Sequence, residues 1–263
     1  MAAAFVNPRS APDPAAGRLV LLRHGESSYN AEGRFTGLLD VPLTERGRAE
    51  ARHAARLLAD ADIVPDLIYT SRLTRTRDTA QLVRDTLARP GIPTRAVWQL
   101  DERNYGALTG LSKADVLARY GPELFIRWRR TLTGQPPPMD EELIRQLREQ
   151  PALAGLPARA VTATESLDDV RGRVGGLWHA QLDGELRRGG TVLVIAHGNS
   201  IRALCVVLDR LTEPEVIALN IPTGHPLVYD FDHRMHPVPR GGRYLDPDAA
   251  RAAAKKVADA GGT

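Results

Sequence analysis

Leu19-Val20-Leu21-Leu22-Arg23-His24-Gly25-Glu26 and Val192-Leu193-Val194-Ile195-Ala196-His197-Gly198-Asn199 share one device: a short apolar run that ends in a His-Gly pair. Four to six β-favouring residues closed by glycine predict a buried strand that stops there. Further strands are expected at residues 66–70, 94–100 and 227–231, beside those at 18–22 and 191–196. Helices are expected at 44–58, 73–88 and 199–210. A longer one should run from a Thr164 cap to about residue 188, with Glu165 in its first turn. The alternation implies an α/β fold with a mainly parallel sheet and helices on both faces. In such sheets ligands sit outside the carboxyl ends of the strands, so both histidines arrive at one rim.

Three stretches fall outside the pattern. Residues 1–17, rich in Ala and Pro, read as a disordered lead-in without the basic start and apolar centre of a signal peptide. Residues 121–163 carry Trp128-Arg129-Arg130 and then Pro136-Pro137-Pro138, which cannot continue a helix, so they read as a lid insertion. Residues 237–263 read as a flexible tail with one short helix near 247–258. Residues 18–236 then form a single α/β domain, as the length of 263 residues allows.

Composition narrows the function classes. No run approaches the roughly 20 apolar residues of a membrane span. The one cysteine, Cys205, lies in an apolar run and reads as packing, consistent with a reducing, cytoplasmic setting. Thirty-five basic against 32 acidic residues give a net charge of +3, which favours anionic partners without implying nucleic acid. Almost all the basic residues are arginine, so a single arginine says little. Lys113 says more, as the only lysine before the tail. No His, Cys or carboxylate spacing suits a metal, and none is expected.

Two histidines at one rim, one preceded by arginine, suit the handling of a phosphoryl group. An imidazole nitrogen of His24 is a competent nucleophile that would split one displacement into two. Arg23 beside it, and Arg75 at the start of a helix, could neutralise the charged oxygens. Gly25, Ser27, Asn30, Thr36 and Gly37 populate the loop that follows His24. His197 precedes Gly198 and Asn199, whose amides open a helix and form an anion site. Glu102, next to Arg103, follows the third strand and could move a proton to or from an oxygen.

Leu22-Arg23-His24-Gly25-Glu26-Ser27, Phe35-Thr36-Gly37, Leu43-Thr44-Glu45-Arg46-Gly47, Glu102-Arg103-Asn104-Tyr105-Gly106, Trp128-Arg129-Arg130, Ala196-His197-Gly198-Asn199-Ser200 and Asn220-Ile221-Pro222-Thr223-Gly224 occur in that order. The set resembles the 2,3-bisphosphoglycerate-dependent phosphoglycerate mutases of the histidine phosphatase superfamily, from about residue 18 to 232. The resemblance implies His24 as the phosphorylated nucleophile, Glu102 as proton donor and acceptor, and His197 as stabiliser of the phosphoryl group. Arg23 and Arg75 would grip its oxygens. Asn30, Thr36 and Gly37 would line the pocket, while Tyr105, Lys113, Arg129 and Arg130 would hold the carboxylate and second phosphate. It also implies 2,3-bisphosphoglycerate as primer, a small phosphorylated substrate, and copies that pair. Tyr29 and Leu38 stand where the family has tryptophan, Asn104 where it has histidine, and Asp78 where it is commonly basic. The expected activity is interconversion of 3- and 2-phosphoglycerate. The rivals are a phosphatase on the same scaffold and a non-catalytic protein that binds an anion or nucleic acid.

Overall fold

The two His-Gly strands lie side by side. β1 (Arg18–Arg23) and β4 (Thr191–Ala196) pair in parallel from Arg18 opposite Thr191 to Arg23 opposite Ala196. The computed structural model describes residues 16–259. With β2 (Leu67–Thr70), β3 (Thr94–Ala96), β5 (Leu227–Tyr229) and β6 (Arg243–Tyr244) they form one sheet in the order β3-β2-β4-β1-β5-β6. The first four strands are parallel and the last two antiparallel. The helices are α1 (Ser28–Ala31), α2 (Glu45–Asp60), α3 (Thr74–Thr86), α4 (Lys113–Arg130), α5 (Glu141–Glu149), α6 (Leu167–Leu177), α7 (Asp183–Arg187), α8 (Gly198–Asp209), α9 (Glu213–Ala218) and α10 (Pro247–Asp259).

Strand alternation sorts the core into two layers. Leu19, Leu21, Tyr69, Val192 and Val194 pack on the α6 and α8 side with Val170, Val174 and Leu204. Val20, Leu22, Ile68, Leu193 and Ile195 face the other way, against Ala54, Ala55 and Leu58 of α2 and Ala80 and Val83 of α3. A slip of one residue would exchange the two faces, so the register of the strands that carry both histidines is strongly specified.

The parallel sheet and its two helical layers match the sequence reading, and several boundaries differ. β3 ends at Ala96 and a tight turn, Trp98–Leu100, follows, so Glu102 sits on a loop beyond the strand. Ser166, not Thr164, caps α6, which leaves Glu165 outside the helix and free to pair elsewhere. The expected long helix also changes pitch, through a π turn at Trp178–Leu182 between α6 and α7. Gly121 to Arg130 is the second half of α4, bent where Gly121 takes φ 77° before Pro122. The rest of the insertion has a core of its own, with Met139, Leu147, Leu153 and Val161 against Leu38 and Leu73.

At the far end, the expected tail takes part in the fold. β6 extends the sheet beyond β5, and α10 follows it. Of the expected lead-in, residues 1–15 lie outside the described residues. Gly17 already belongs to the fold, donating its N–H to the Leu186 carbonyl at 2.7 Å. Among the described residues no helix is long and apolar enough to cross a membrane.

One close approach fixes the loop after β1. A Cβ on Gly25 would stand 2.0 Å from the Gly47 carbonyl oxygen, and one on Gly47 the same distance from that of Glu26. Only the absence of both side chains lets α2 start against the residues that follow His24. Gly47→Ala is therefore expected to lower stability by about 1–3 kcal/mol and to depress activity per folded molecule. Leu193→Ala should cost about 2–5 kcal/mol while leaving the activity of the folded fraction near normal. Urea unfolding midpoints with parallel turnover assays separate the two outcomes.

Candidate active site

Parallel pairing carries His24 and His197 to the same strand ends. Their buried rings meet edge to face, 4.9 Å between centroids. The His24 main-chain N–H donates to the Ala196 carbonyl at 3.1 Å, continuing the ladder one residue past β1. Its Nδ1 lies 2.6 Å from the Gly25 carbonyl oxygen. A carbonyl only accepts, so Nδ1 carries the proton and Nε2 keeps its lone pair. Burial, then the nearby Arg75 and Arg23 guanidiniums, hold the imidazole well below its ordinary range. His24 is thus neutral at neutral pH, with a nucleophilic nitrogen that makes no hydrogen bond among the described residues.

Cations surround this pair. Arg23 donates from Nη1 to the Ile221 carbonyl at 2.7 Å, while its buried Nε has no partner. Its own carbonyl accepts the Gly224 N–H at 3.1 Å. Arg75, almost wholly buried, donates to the carbonyls of Leu39 and Gly37 at 2.8 and 3.0 Å. Burial lowers the Arg75 guanidinium to about 10. Neither arginine is neutralised by a bonded carboxylate. That leaves positive potential in a low-dielectric place, which suits an arriving anion.

Glu102 is placed by a clamp that sequence reasoning missed. Arg173 of α6 donates to the carbonyls of Gln99, Asp101 and Glu102 at 2.6, 2.9 and 3.2 Å. The same guanidinium pairs with Glu165 at 2.8 Å, and Glu165 accepts the Asn104 N–H at 2.8 Å. The chain around Glu102 is therefore held on both sides by one buried ion pair. The Glu102 carboxylate accepts from the Arg103 N–H at 2.8 Å and from the Asn199 amide at 3.2 Å. Asn199 also donates to the Tyr105 hydroxyl at 2.8 Å. Glu165 had no distinguishing sequence signal, since its partner lies eight residues on and its role needs the loop geometry.

A cavity of about 520 Å³ opens here. Arg23, Asn30, Thr36, Gly37, Glu102, Tyr105, Lys113, Arg129 and Asn199 line it. Burial, with Arg129 and Arg23 adding to it, lowers the Lys113 ammonium to about 7. Arg129 lies over Phe125 and Phe35, 4.7 and 5.7 Å from their ring centroids.

Eight expected site residues are not among those lining the cavity: His24 and His197, buried behind it, Gly25 and Gly198 beside them, and Ser27, Arg75, Arg103 and Arg130. Arg103 is turned to the carbonyls of Glu165 and Gly134, at 2.8 and 2.6 Å, and ties the insertion to the Glu102 loop. Arg130 holds the carbonyl of Leu219 and the Asn220 side chain, at 3.1 and 3.0 Å. Ser27 caps α1 and donates to Asn30 Oδ1 at 2.9 Å. Arg75 acts from beneath the loop whose carbonyls it holds. Ser27 and Arg130 have their polar atoms engaged by the protein, whereas Arg103 keeps a buried Nη1 with no partner among the described residues.

Conversely, the outer wall contains residues that no motif announced. Glu50, His53 and His225 stand there beside Glu26 of the first motif, with Ala253 and Val257 of α10. Among the described residues no group of three His, Cys, Asp or Glu side chains is gathered that could hold a metal.

The model of the histidine phosphatase superfamily (branch 1) matches residues 19–238. A 2,3-bisphosphoglycerate-dependent phosphoglycerate mutase of Mycobacterium tuberculosis is 48% identical over 245 residues, covering 93% of this chain and 98% of that protein. One of Cutibacterium acnes is 46% identical over 244 residues, with the same coverage. Among solved structures, a mycobacterial glucosyl-3-phosphoglycerate phosphatase superposes with a TM-score of 0.62 at 28% identity, covering 87% of this chain and 96% of that one.

The low Lys113 value has a measurable consequence. Below pH 7 the empty site already holds a charged ammonium, whereas above pH 7 an anion must draw a proton onto it. Sulfate affinity is expected to fall as pH rises from 7 to 9. In Lys113→Arg the slope of log affinity against pH should be shallower by about one proton. Calorimetric titration at several pH values checks this.

Proposed function

The chain belongs to the histidine phosphatase superfamily and, within it, to the 2,3-bisphosphoglycerate-dependent phosphoglycerate mutases, and from that premise we propose how its own residues interconvert 3-phosphoglycerate and 2-phosphoglycerate. The observation that carries the reading is the His24 ring: neutral, protonated on Nδ1, with no hydrogen bond to Nε2 among the described residues, beside His197 and two arginines.

The donor set suits a doubly phosphorylated carboxylate. Arg23 has an orphaned buried Nε, and Lys113 and Arg129 add positive charge across the cavity. When bound, 2,3-bisphosphoglycerate supplies the phosphoryl group that loads the enzyme.

In this reading His24 Nε2 carries the phosphoryl group. The substrate hydroxyl attacks phosphorus, the P–N bond breaks, and Glu102 takes the hydroxyl proton. His24 then takes back the phosphoryl group from the neighbouring carbon, while Glu102 returns its proton to the leaving oxygen. Arg23 and Arg75 stabilise the charge that grows on the transferred oxygens. Lys113 and Arg129 hold the rest of the substrate, and Tyr105 and Asn199 set the carboxylate that moves the proton. The insertion tied down by Arg103 and Arg130, together with α10, keeps water from the phosphohistidine.

A hydrolase differs only in letting water reach that phosphohistidine, and the glucosyl-3-phosphoglycerate phosphatase among the solved structures is named for such a reaction. The product ratio separates the readings, and labelling tests the nucleophile they share. Purified protein with 3-phosphoglycerate and a trace of 2,3-bisphosphoglycerate should form 2-phosphoglycerate far faster than inorganic phosphate, whereas the reverse ratio marks a phosphatase. Acid-labile label from the bisphosphate should map to His24 and vanish in His24→Ala. Glu102→Gln should lower kcat by about 10²–10⁴-fold, measured by the same coupled assay.

A further inference from the structure

His197 poses a problem that the hydroxyls around it resolve. Its Nε2 lies 2.7 Å from the Ser71 hydroxyl, and its Nδ1 is buried with no partner. Which nitrogen carries the proton follows from where each hydroxyl proton goes. Thr76 has one proton and two carbonyl acceptors, Leu73 at 2.9 Å and Ser71 at 3.2 Å, so that proton points to a carbonyl. Thr76 Oγ1 then accepts from the Ser71 hydroxyl, 2.8 Å away. Ser71 Oγ, its own proton spent, also accepts the Leu73 N–H at 3.2 Å. Toward His197 it can only accept again. The opposite assignment would leave Thr76 Oγ1 lone pairs against two carbonyl oxygens. In the empty site His197 therefore carries its proton on Nε2, and Nδ1 presents a lone pair.

A lone pair cannot stabilise a phosphoryl oxygen. We propose that Ser71 and Thr76 are positioning residues that lock this tautomer, so that His197 acts on the phosphoryl group only as an imidazolium, taking a proton from solvent onto Nδ1 when the anion arrives. The proposal rests on reading this site as a phosphoryl-transfer centre. The balance is simple: one proton leaves water, one N–H bond forms at Nδ1, and no bond to phosphorus is involved.

The charges around the ring explain why the anion is required. From the packed elements it faces His24 and Arg23 of the first strand end, Arg75 of α3 and Arg173 of α6. Burial first, then these groups, hold the empty-site imidazole well below its ordinary range. Only an anion among these cations reverses that sign. The two histidines are thus held in opposite tautomers, His24 as Nδ1–H by a carbonyl and His197 as Nε2–H by a hydroxyl. One is kept as a nucleophile and the other as an acid in waiting.

Sulfate serves as the probe, because it stays a dianion at pH 8 and undergoes no transfer. Nitrogen-15 spectra of the full chain labelled at histidine, assigned with His24→Ala and His197→Gln, report each ring nitrogen directly. Without sulfate, His197 should show a protonated Nε2 and a bare Nδ1. With sulfate both nitrogens should be protonated, while His24 keeps a bare Nε2. In Ser71→Ala the ring can switch tautomer, so the sulfate complex should show a neutral His197 protonated on Nδ1 alone. Thr76→Val frees the Ser71 proton to donate to Nε2 and should give the same neutral ring. In calorimetry at pH 8 both variants should take up about one proton fewer than wild type on binding. A neutral His197 in the wild-type complex, unchanged protonation in both variants, or no response of either ring to sulfate overturns the proposal. None of these readouts depends on turnover, so a failed mutase assay leaves them independent.

Discussion

Burying several cations around two imidazoles without giving them carboxylate partners is the constraint from which the rest of this structure follows. An unpaired buried charge is costly, and its cost is met here mainly by backbone carbonyls rather than by ion pairs. Arg23, Arg75, Arg103 and Arg130 all direct guanidinium nitrogens at main-chain oxygens. Those bonds fix the loops and leave the charges unneutralised, so the potential persists until an anion enters. Burial first, and then this field, hold both histidines well below their ordinary range.

The buried ion pair of this centre, Arg173 with Glu165, does a different job. It carries its own counter-charge, and it holds the three carbonyls around Glu102 and the amide of Asn104. Removing either partner would leave a buried charge exposed to no solvent and no counter-charge, so the pair is a rigid fixture. A proton-transferring carboxylate gains more from such support than from a shifted affinity, because transfer demands hydrogen-bond distance to the reacting oxygen. Scaffold glycines act in the same way after β1, where the absence of side chains on Gly25 and Gly47 lets the start of α2 pack directly against the loop that follows His24.

Mutase and hydrolase share the nucleophile and its cations, so the difference between them lies in who reaches the phosphohistidine. Here the outer wall is supplied by α10 and by residues of the loops at the mouth, while Arg103 and Arg130 anchor the insertion from behind. In the proposed reading, the elements that exclude water are distant in sequence from the histidines, which is why catalytic motifs alone describe the superfamily better than the reaction.

Much of this protein was legible in its residues. Apolar runs ending in His-Gly fixed the parallel strands, since burial on both faces demands such runs, and the ordered motifs located His24, Glu102 and His197. Local patterning could not say that Arg103 and Arg130 would turn to carbonyls, because a guanidinium looks the same in sequence whether it meets a ligand or a main-chain oxygen. Nor could it reveal that residues 237–259 complete the wall, because Ala-rich and Pro-rich composition is silent about what it packs against. The tautomers of the two imidazoles were decided last of all. They depend on single protons shared among Gly25, Ser71, Leu73 and Thr76, and only three-dimensional distances between donors and acceptors assign those.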